Sequence, residues 1–304
     1  MSKFHSWINI KYTDSGNYQK LTPQSIFEMT FSKTTEVLTT NYRDALVHNA
    51  KAIADSFPQP FDVLLSGGID SEVVVRLNKD LGIKQNVYVF KFENNINIRD
   101  VESAKQICNS LSIPLKIIDF NLEDFFEKEA ESLYKKTFIS RIEYLPRFYW
   151  QSYFDNLLVQ GGGEPYLRRE LEDDYSKKSD WVFWFYEYDF AHDLYSCATG
   201  DISMGNWYYF TPDIYVNYCK ESIVKNLIQD QLHGKISTMT SRIALHREIW
   251  TDIQDKIKLT GYEGAHNPVA TYPKFMDDFK SQVMKGVSNT VFKFDKNTFE
   301  NLFK

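Results

Sequence analysis

The chain has 304 residues and a formal net charge of −6, and 43% of its residues are hydrophobic. This length suffices for one large domain or two modest ones, and the apolar fraction supports a sizeable core and excludes a disordered chain. The negative charge gives no support for a nucleic-acid partner held by bulk electrostatics, although it leaves a local basic patch open.

Cysteine usage and the N-terminus indicate the compartment. The three cysteines, Cys108, Cys197 and Cys219, are far apart and form no CxxC pair, so we expect neither a zinc ribbon nor a disulfide framework. The N-terminus does not resemble a signal peptide, and no apolar run is long enough to span a bilayer. We therefore expect a cytoplasmic protein without a membrane partner.

Periodicity predicts alternating strands and helices after a first segment of about forty residues, whose short apolar runs suggest strands and turns. A helix is predicted over Tyr42–Ser56, and prolines follow it. The alternating elements that come next are a strand at Val63–Leu65, a helix at Ser71–Leu81, a strand at Asn86–Phe92, a helix at Asp100–Leu111 and a strand at Leu115–Phe120. This order predicts an α/β fold with a parallel sheet and right-handed crossovers.

The most informative stretch runs from Leu64 to Ser71 and reads Leu-Leu-Ser-Gly-Gly-Ile-Asp-Ser. A strand that stops at Ser66 and turns through Gly67 and Gly68 into a helix aims several backbone N–H groups, and the positive end of the helix, at one point. The glycines allow a ligand to come close, and the hydroxyls of Ser66 and Ser71 can donate to phosphate oxygens. We therefore predict a phosphate site.

Asp70 lies inside this predicted phosphate site, where a lone carboxylate would repel the ligand. A magnesium ion between Asp70 and the phosphates removes the conflict, because Mg²⁺ commonly takes one or two carboxylates together with substrate phosphates. The loop is not a Walker A motif, because no Gly-Lys-Ser/Thr follows, and it lacks the third glycine of a dinucleotide fingerprint. A generic glycine turn is the structural alternative.

A second candidate lies where the predicted strand Asp155–Gln160 runs into Gly161, Gly162 and Gly163. Three consecutive glycines beside a sheet predict that the chain passes too close to a nucleotide for any side chain to fit. A loose surface turn is the alternative. Glu164 follows the glycines and would be the carboxylate nearest to that nucleotide.

Two other clusters carry weaker signals. The aromatic run Trp181–Tyr186 favours a core or interface strand over a platform for base stacking. Asp189, His192 and Asp193 could suggest a metal site, but no clear fourth ligand accompanies them, so a structural role is favoured.

The C-terminal part of the chain is predicted to be helical. Thr211-Pro212-Asp213 resembles a helix start, with proline at the first position. A second amphipathic helix is predicted over Ser241–Lys258, and it ends in a basic cluster that contains Lys258. Basic residues at a helix end commonly complement the helix dipole, which is the structural interpretation of this lysine.

The Ser-Gly-Gly-x-Asp-Ser loop resembles the signature of the PP-loop ATP pyrophosphatases. The order of features over about residues 42–265 is similar to the synthetase domain of asparagine synthetase and its β-lactam-forming relatives. This resemblance implies a Rossmann-like core of the adenine nucleotide alpha hydrolase type. It divides the chain into a segment 1–40 of unknown role, a core 41–210 and a helical part 211–304 that completes the active site.

In that family the loop grips the pyrophosphate of ATP, a carboxylate in the glycine-rich turn helps to place magnesium, and a late lysine stabilises negative charge. Carried over residue by residue, the resemblance implies ATP binding by Leu64, Ser66, Gly67, Gly68, Asp70, Ser71, Phe92, Gly161 and Gly162, magnesium binding by Asp70 and Glu164, and catalysis by Asp70 and Lys258. Leu64 and Phe92 would line the adenine pocket. The implied cofactors are ATP and Mg²⁺.

Two departures separate this chain from the family pattern. The turn has Gln160-Gly161 where the family has Ser-Gly, and Glu164-Pro165 where the family has an Asp-Glu pair. Ser2 stands where the family's glutaminase domain has its cysteine, and too few residues precede the loop for such a domain. We therefore expect the nitrogen to come from free ammonia, another protein or an amine on the substrate.

The resemblance implies the chemistry of an AMP-forming ligase. A carboxylate or carbonyl oxygen attacks the α-phosphorus of Mg·ATP and releases pyrophosphate, and an amine then displaces AMP. The expected partners are a small-molecule acid and an amine or ammonia donor, and the oligomeric state stays open.

Three alternatives stay open as well. The first is a PP-loop enzyme that modifies tRNA or a nucleobase. Such enzymes usually need a cysteine pair or a zinc knuckle, so Cys108 and Cys197 would have to lie together beside the loop. The second is a protein that binds ATP or AMP without turnover, which the altered Glu164-Pro165 turn favours. The third, a purely structural protein, leaves the loop unexplained.

Overall fold

The computed structural model describes residues 7–32, 36–165, 167–169, 181–200, 203–231, 239–253, 272–284, 287, 289–295 and 301–303. Within these ranges, no helix is both long and apolar enough to cross a membrane.

Ten strands and eleven α-helices are assigned in this part of the chain. The strands are β1 (Ile8–Tyr12), β2 (Phe27–Phe31), β3 (Phe61–Leu64), β4 (Gln85–Phe92), β5 (Leu115–Phe120), β6 (Leu158–Gln160), β7 (Leu167–Arg169), β8 (Trp181–Tyr186), β9 (Ser203–Met204) and β10 (Val291–Asp295). The helices are α1 (Tyr42–Ser56), α2 (Ile69–Asp80), α3 (Ile98–Leu111), α4 (Leu122–Lys128), α5 (Ala130–Thr137), α6 (Leu145–Trp150), α7 (Glu187–Thr199), α8 (Asp213–Lys220), α9 (Ser222–Gln231), α10 (Met239–Ile249) and α11 (Lys274–Gln282).

A five-stranded parallel sheet forms the centre, in the order β5-β4-β3-β6-β9. The predicted α/β class with a parallel sheet is confirmed. The chain runs outward from β3 through β4 to β5, then returns to the other side of β3 with β6. This reversal opens a crevice at the carboxyl ends of β3 and β6, where ligands of open α/β sheets bind. The last residues of these two strands, Leu64 and Gln160, are register partners.

The burial of β3 and α2 explains why they occupy the centre. All four residues of β3 are buried, as expected for a parallel strand covered on both faces. In α2 the run from Ser71 to Asn78 is buried, so the helix that follows the loop is enclosed on nearly every side. The loop is therefore held between two elements that cannot move without opening the core.

Two smaller antiparallel sheets flank the centre: the hairpin β1–β2 and the sheet β10-β8-β7. In β8 the residues alternate, because Phe183 and Phe185 are fully buried while Trp184 and Tyr186 are partly buried. The aromatic run Trp181–Tyr186 is thus a core strand, which agrees with the favoured interpretation.

The N-terminal hairpin is joined to the core by buried polar contacts that no sequence pattern predicts. The indole of the fully buried Trp7 donates to the carbonyl oxygen of Tyr209 at 2.7 Å. Lys20 and Glu187 form an ion pair at 2.6 Å with side chains only 2% and 5% exposed. The hydroxyl of Tyr12 also donates to Glu187, at 3.1 Å. Trp7, Tyr12 and Lys20 therefore tie the described part of this segment to the core.

The observed elements agree closely with prediction except near the C-terminus. α1 and β5 have their predicted bounds, and α8 begins at Asp213 with Pro212 as its N-cap. Of the helix predicted over Ser241–Lys258, α10 ends at Ile249 and residues 250–253 are not helical, while the remainder, 254–258, lies outside the described residues.

Contacts with α2 explain this early helix end. The Arg76 guanidinium binds both oxygens of Asp252 at 3.0 and 2.9 Å, and the indole of Trp250 donates to Asp80 at 2.9 Å. Because these partners lie far apart in sequence, the tertiary contacts override the local helical pattern.

Asp189, the third residue of α7, is an enclosed carboxyl group. Its Oδ2 accepts from the backbone N–H of Tyr186 at 3.4 Å, and the hydroxyl of Tyr144 donates to its Oδ1 at 3.3 Å. Burial outweighs these hydrogen bonds and raises the pKa of Asp189 to about 7. Asp189 is therefore substantially protonated near neutral pH, unlike an exposed carboxyl group.

The buried ion pair between Lys20 and Glu187 predicts a large loss of stability when the Glu187 side chain is truncated. We expect Glu187→Ala to lower the free energy of unfolding by about 3–5 kcal/mol, because the charge of Lys20 then stays in the interior without the Glu187 carboxylate. Urea denaturation measures this loss. Lys11→Ala is the matched control, since the Lys11–Glu28 pair of the same hairpin has side chains 54% and 46% exposed and should contribute less than about 1 kcal/mol. Equal losses in the two variants would contradict the prediction.

Asp189 predicts a pH-dependent term in stability. Its pKa is 3.8 in its ordinary state and about 7 in the folded protein, so folding takes up a proton between about pH 4 and about pH 7. The contribution of this group to the free energy of unfolding therefore falls as the pH rises through that window. Because Asp189→Asn stays neutral, we expect the variant to gain stability relative to the wild type from about pH 5 to about pH 8. Denaturation curves at several pH values test this, and a constant difference would refute it.

Candidate functional site

The loop between β3 and α2 has the strand–turn–helix arrangement that the sequence predicts. Gly68 is the N-cap of α2 in extended backbone conformation, with φ −83°, and no side chain among the described residues caps the helix. The first-turn N–H groups of α2 are thus available to solvent or a ligand, at the positive end of the helix dipole. The loop also lies at the crevice between β3 and β6.

The backbone conformation requires a glycine at position 67, and its predicted contact with ATP stays a prediction. Its φ is +71°, in the left-handed region, and a Cβ there would lie 2.7 Å from the carbonyl oxygen of Asp100 and 2.9 Å from Cβ of Ser103. A side chain would therefore collide with α3. The glycine lets the loop turn sharply against α3.

The two predicted phosphate hydroxyls differ in their surroundings. Ser66 is exposed, whereas Ser71 is buried and donates its hydroxyl hydrogen to the carbonyl oxygen of Gly68 at 3.0 Å. The two hydroxyl oxygens are 3.2 Å apart. Ser66 can thus meet a phosphate directly, while Ser71 would have to rotate its hydroxyl away from Gly68. Their roles in ATP binding stay predictions.

Contacts within the protein account for the glycine-rich turn. A Cβ at Gly161 would lie 2.8 Å from both N and Cα of Ser71, and one at Gly162 would lie 2.5 Å from the carbonyl oxygen of Gly205. A Cβ at Gly163 would lie 3.0 Å from the ring of Tyr209. These contacts give the glycines a packing reason, and the close approach of a nucleotide to the turn stays a prediction. Gly161 nevertheless lies directly against the first turn of α2, beside the loop.

Asp70 and Glu164 both lie at this edge of the sheet and are both partly buried. Asp70 is the second residue of α2, and its charge contributes to raising the pKa of Tyr208. Within the described residues, no group of three or more His, Cys, Asp or Glu side chains could hold a metal ion. A magnesium ion here would need phosphate oxygens beside the two carboxylates, which matches how Mg²⁺ is commonly bound.

The cluster at Asp189, His192 and Asp193 has a structural role. Asp193 accepts from the backbone N–H of Gly205 and from the side-chain amide of Asn206, both at 2.7 Å. These bonds fix the chain after β9 against α7. The favoured structural interpretation is the one that the geometry supports.

The two residues predicted to line an adenine pocket belong to a second hydrophobic cluster. Leu64 and Phe92 are 8% and 3% exposed and share this cluster with Phe120 and Trp150. The carboxamide of Asn97 accepts from Phe92 N–H and donates to the Phe90 carbonyl oxygen, both at 2.8 Å. These two hydrogen bonds fix the carboxyl end of β4. Whether adenine packs on Leu64 and Phe92 stays a prediction.

A cavity of about 460 Å³ opens at the carboxyl ends of β4 and β5. Its lining residues are Lys91, Phe92, Glu93, Asn94, Asn95, Asp119, Phe120 and Asn121. It combines two aromatic walls with several amides and charged groups, a combination typical of sites for small polar ligands. Sequence reasoning named only Phe92 here, although the Glu-Asn-Asn run directly after a predicted strand was an available signal.

Two residues of this cavity adopt an unusual backbone conformation. Asn94 and Asn95 have φ of 53° and 56°, in the left-handed region that asparagine tolerates better than most residues. Glu93 caps α4 by accepting from the backbone N–H groups of Leu122 and Glu123 at 2.7 and 3.1 Å. The cavity wall is therefore built from a tightly fixed turn.

Lys258, the predicted catalytic lysine, lies outside the described residues. The chain that leads to it is nevertheless anchored, because Asp252 is bound to Arg76 of α2. Arg76 is itself buried and also pairs with Glu72 at 2.8 Å. Sequence reasoning missed Arg76, and the Glu72–Arg76 spacing of four residues was the one signal for it.

The cysteines do not assemble beside the loop. Cys108 lies on α3, which packs against β4 and β5, whereas Cys197 lies on α7, which packs against β9 at the opposite end of the sheet. Burial raises the pKa of Cys108 to about 11, so its thiol stays protonated. The geometry gives no support for thiolate chemistry by this pair.

Comparison with known proteins gives a match at the loop-bearing half of the core. Residues 62–147 match the family described as "Queuosine biosynthesis protein QueC", which belongs to the PP-loop ATP pyrophosphatase superfamily. A 7-cyano-7-deazaguanine synthase from Methanocaldococcus jannaschii is 36% identical over 67 residues, which are 22% of this chain and 29% of that protein. The chain thus spans less than a third of the length of this curated relative.

Solved structures with low overall similarity include two synthetases. NMN synthetase from Francisella tularensis has a TM-score of 0.30 at 19% identity, covering 40% of this chain and 54% of that one. NH3-dependent NAD synthetase from Campylobacter jejuni has a TM-score of 0.29 at 13% identity, covering 72% and 99%. These scores are too low to carry an argument. Similarity to asparagine synthetase is not shown, whereas the sequence matches support the PP-loop superfamily for the segment that holds the loop.

Proposed function

We propose that this chain is an ATP-dependent enzyme of the PP-loop type that activates a carboxylate on a nucleobase-like heterocycle. The loop between β3 and α2 carries the proposal. It offers uncapped first-turn N–H groups at the crevice between β3 and β6, next to the carboxylate of Asp70. A phosphate chain with its magnesium ion is the ligand that suits this combination of donors and acid.

The match to the deazaguanine synthase favours a nucleobase-type substrate over a small aliphatic acid. That relative is named for a product that carries a nitrile on a 7-deazaguanine ring. A nitrile carbon has the oxidation level of a carboxylate or an amide, so it forms from a carboxylate and ammonia by loss of water. ATP activation of the carboxylate oxygen drives this condensation without any redox partner or thiol.

The proposed reaction for this chain has two balanced steps. The carboxylate oxygen attacks the α-phosphorus of Mg·ATP, forming an acyl adenylate and releasing pyrophosphate. Ammonia or an amine then attacks the acyl carbon, forming the amide and releasing AMP with one proton. Asp70 and Glu164 are proposed to hold magnesium, and electrostatic stabilisation of the departing pyrophosphate supplies most of the rate.

Lys258 is proposed to offset the negative charge that develops on the phosphates. The binding of Asp252 to Arg76 supports this role. Arg76 lies seven residues after Ile69, the first residue of α2, which is about 10 Å along the helix axis. Lys258 follows Asp252 by six positions in the sequence, and six residues span up to about 20 Å when extended. That length exceeds the distance along α2, which supports the role proposed for Lys258.

The first experiment measures AMP and pyrophosphate formation by the purified protein with ATP, Mg²⁺ and ammonia. We expect turnover with a 7-deazaguanine that carries a carboxylate at C7, and none with the unsubstituted ring. Turnover with aspartate or another aliphatic acid instead would favour the asparagine-synthetase-like alternative. Tight ATP binding without pyrophosphate release would favour a non-catalytic binding protein, and absent ATP binding would overturn the proposal.

Asp70→Asn tests the magnesium assignment. Because the amide keeps the size of the carboxylate but loses its charge, we expect kcat to fall by about 10²- to 10³-fold. Lys258→Ala should lower kcat in the same range if the lysine meets the phosphates. An AMP-formation assay measures both, and the control is Asp55→Asn, an exposed carboxylate on α1. Full activity of Asp70→Asn would contradict the assignment.

Gly161→Ala tests whether the close contact between the turn and α2 matters for ATP. The new Cβ would lie 2.8 Å from the backbone of Ser71, so the first turn of α2 must shift. Displacing reacting groups by about 1 Å can cost on the order of 10²-fold in rate, and we expect a loss of that size together with weaker ATP binding.

The control for this variant is Gly82→Ala. Gly82 has φ +69° and open space around the would-be Cβ, so alanine adds backbone strain without a collision. We expect it to lower stability by about 1–2 kcal/mol and to leave ATP affinity unchanged. Isothermal titration calorimetry and urea denaturation separate the two effects. Unchanged ATP affinity in Gly161→Ala would show that the contact is not needed.

A further inference from the structure

Tyr208 lies against both turns that carry the proposed magnesium carboxylates. Its backbone N–H donates to the carbonyl oxygen of Gly162 at 3.1 Å, and its hydroxyl donates to the carbonyl oxygen of Asp70 at 3.2 Å. One residue thus joins the glycine-rich turn to the first turn of α2. Neither bond belongs to the register of the parallel sheet.

Tyr215 holds the other end of the glycine-rich turn. Its hydroxyl, projecting from α8, donates to the carbonyl oxygens of Gly163 and Glu164 at 2.9 and 3.2 Å. The turn begins with three glycines, which lose more conformational freedom on ordering than other residues. Hydrogen bonds from outside the turn therefore do much to fix the position of Glu164.

Both tyrosines are buried. Tyr208 and Tyr215 are 0% and 1% exposed. Their hydroxyl hydrogen bonds to the two turns are therefore shielded from competing water.

We propose that Tyr208 and Tyr215 are positioning residues for the divalent cation, holding the backbones of Asp70 and Glu164 so that both carboxylates meet one ion. The inference rests on the proposed function, which assigns Mg²⁺ to these two carboxylates. Mg²⁺ demands near-ideal octahedral geometry at about 2.0–2.1 Å, so a small shift of either backbone weakens binding. The tyrosines act through the carboxylate-bearing backbones.

The experiment uses Tyr208→Phe and Tyr215→Phe, which remove only the hydroxyls. Mn²⁺ serves as the probe, and electron paramagnetic resonance measures its dissociation constant in the presence of a non-hydrolysable ATP analogue. We expect that constant to rise on the order of fivefold in each variant, as for the loss of one buried hydrogen bond. The affinity for the analogue without divalent cation should stay unchanged, because the amides of the loop remain in place.

Tyr12→Phe is the matched control, because it also removes one buried tyrosine hydroxyl, whose acceptor is Glu187 in a distant part of the fold. We expect wild-type Mn²⁺ affinity there, although stability falls. Wild-type Mn²⁺ affinity in both Tyr208→Phe and Tyr215→Phe would overturn the inference and leave the proposed function standing. Equal weakening of metal-free and metal-dependent analogue binding would overturn it too, since that indicates general loosening. If the wild type binds no Mn²⁺ with the analogue, the proposed function itself fails.

Discussion

The close contact between Gly161 and the first turn of α2 is the constraint on which the candidate site depends. β3 and β6 are neighbours, so the helix that follows one and the turn that follows the other leave the sheet at the same edge. The two backbones meet so closely that a Cβ at Gly161 would lie 2.8 Å from Ser71 N. On the other side of the loop, Gly67 lets the backbone pass equally close to α3. Two glycines thus fix where the first-turn amides of α2 point.

The outer layers support this contact through the segment that follows β9. Asn49 of α1 donates to the carbonyl oxygen of Trp207 and accepts from the backbone N–H of Thr211, both at 2.9 Å. Between these points the indole of Trp7 donates to the carbonyl oxygen of Tyr209. The segment that carries Tyr208 is therefore pinned by α1 and by the N-terminal hairpin.

The parts that the sequence predicts well are those with a local cause. Apolar periodicity placed α1 and β5 at their observed bounds, and the alternation of strands and helices predicted the parallel sheet. The strand–glycine–helix pattern likewise identified the loop that begins after Leu64. Each of these signals lies within a few residues of the feature that it predicts.

The features that the sequence did not predict depend on residues that are distant in the chain. The helix predicted to reach Lys258 ends at Ile249, because Arg76 binds Asp252 from another element. The glycine-rich turn was found, but its contacts with Ser71, Gly205 and Tyr209 were not, since a sequence shows that a side chain is missing without showing what fills the space. The tyrosine hydroxyls that hold the turn gave no signal at all, because buried tyrosines are common wherever a core is aromatic.

Electrostatics explains why an anion site in this acidic chain carries carboxylates. The dipole of α2 supplies only about half a positive charge at its N-terminus, much less than a triphosphate requires. With a net charge of −6, the protein as a whole repels that ligand. A divalent cation between phosphates and carboxylates resolves both difficulties, because each carboxylate then strengthens binding of the ion that neutralises the phosphates. Asp70 and Glu164 are therefore expected to make nucleotide binding depend on the cation rather than on protein charge, and the cation then depends on how rigidly their backbones are held.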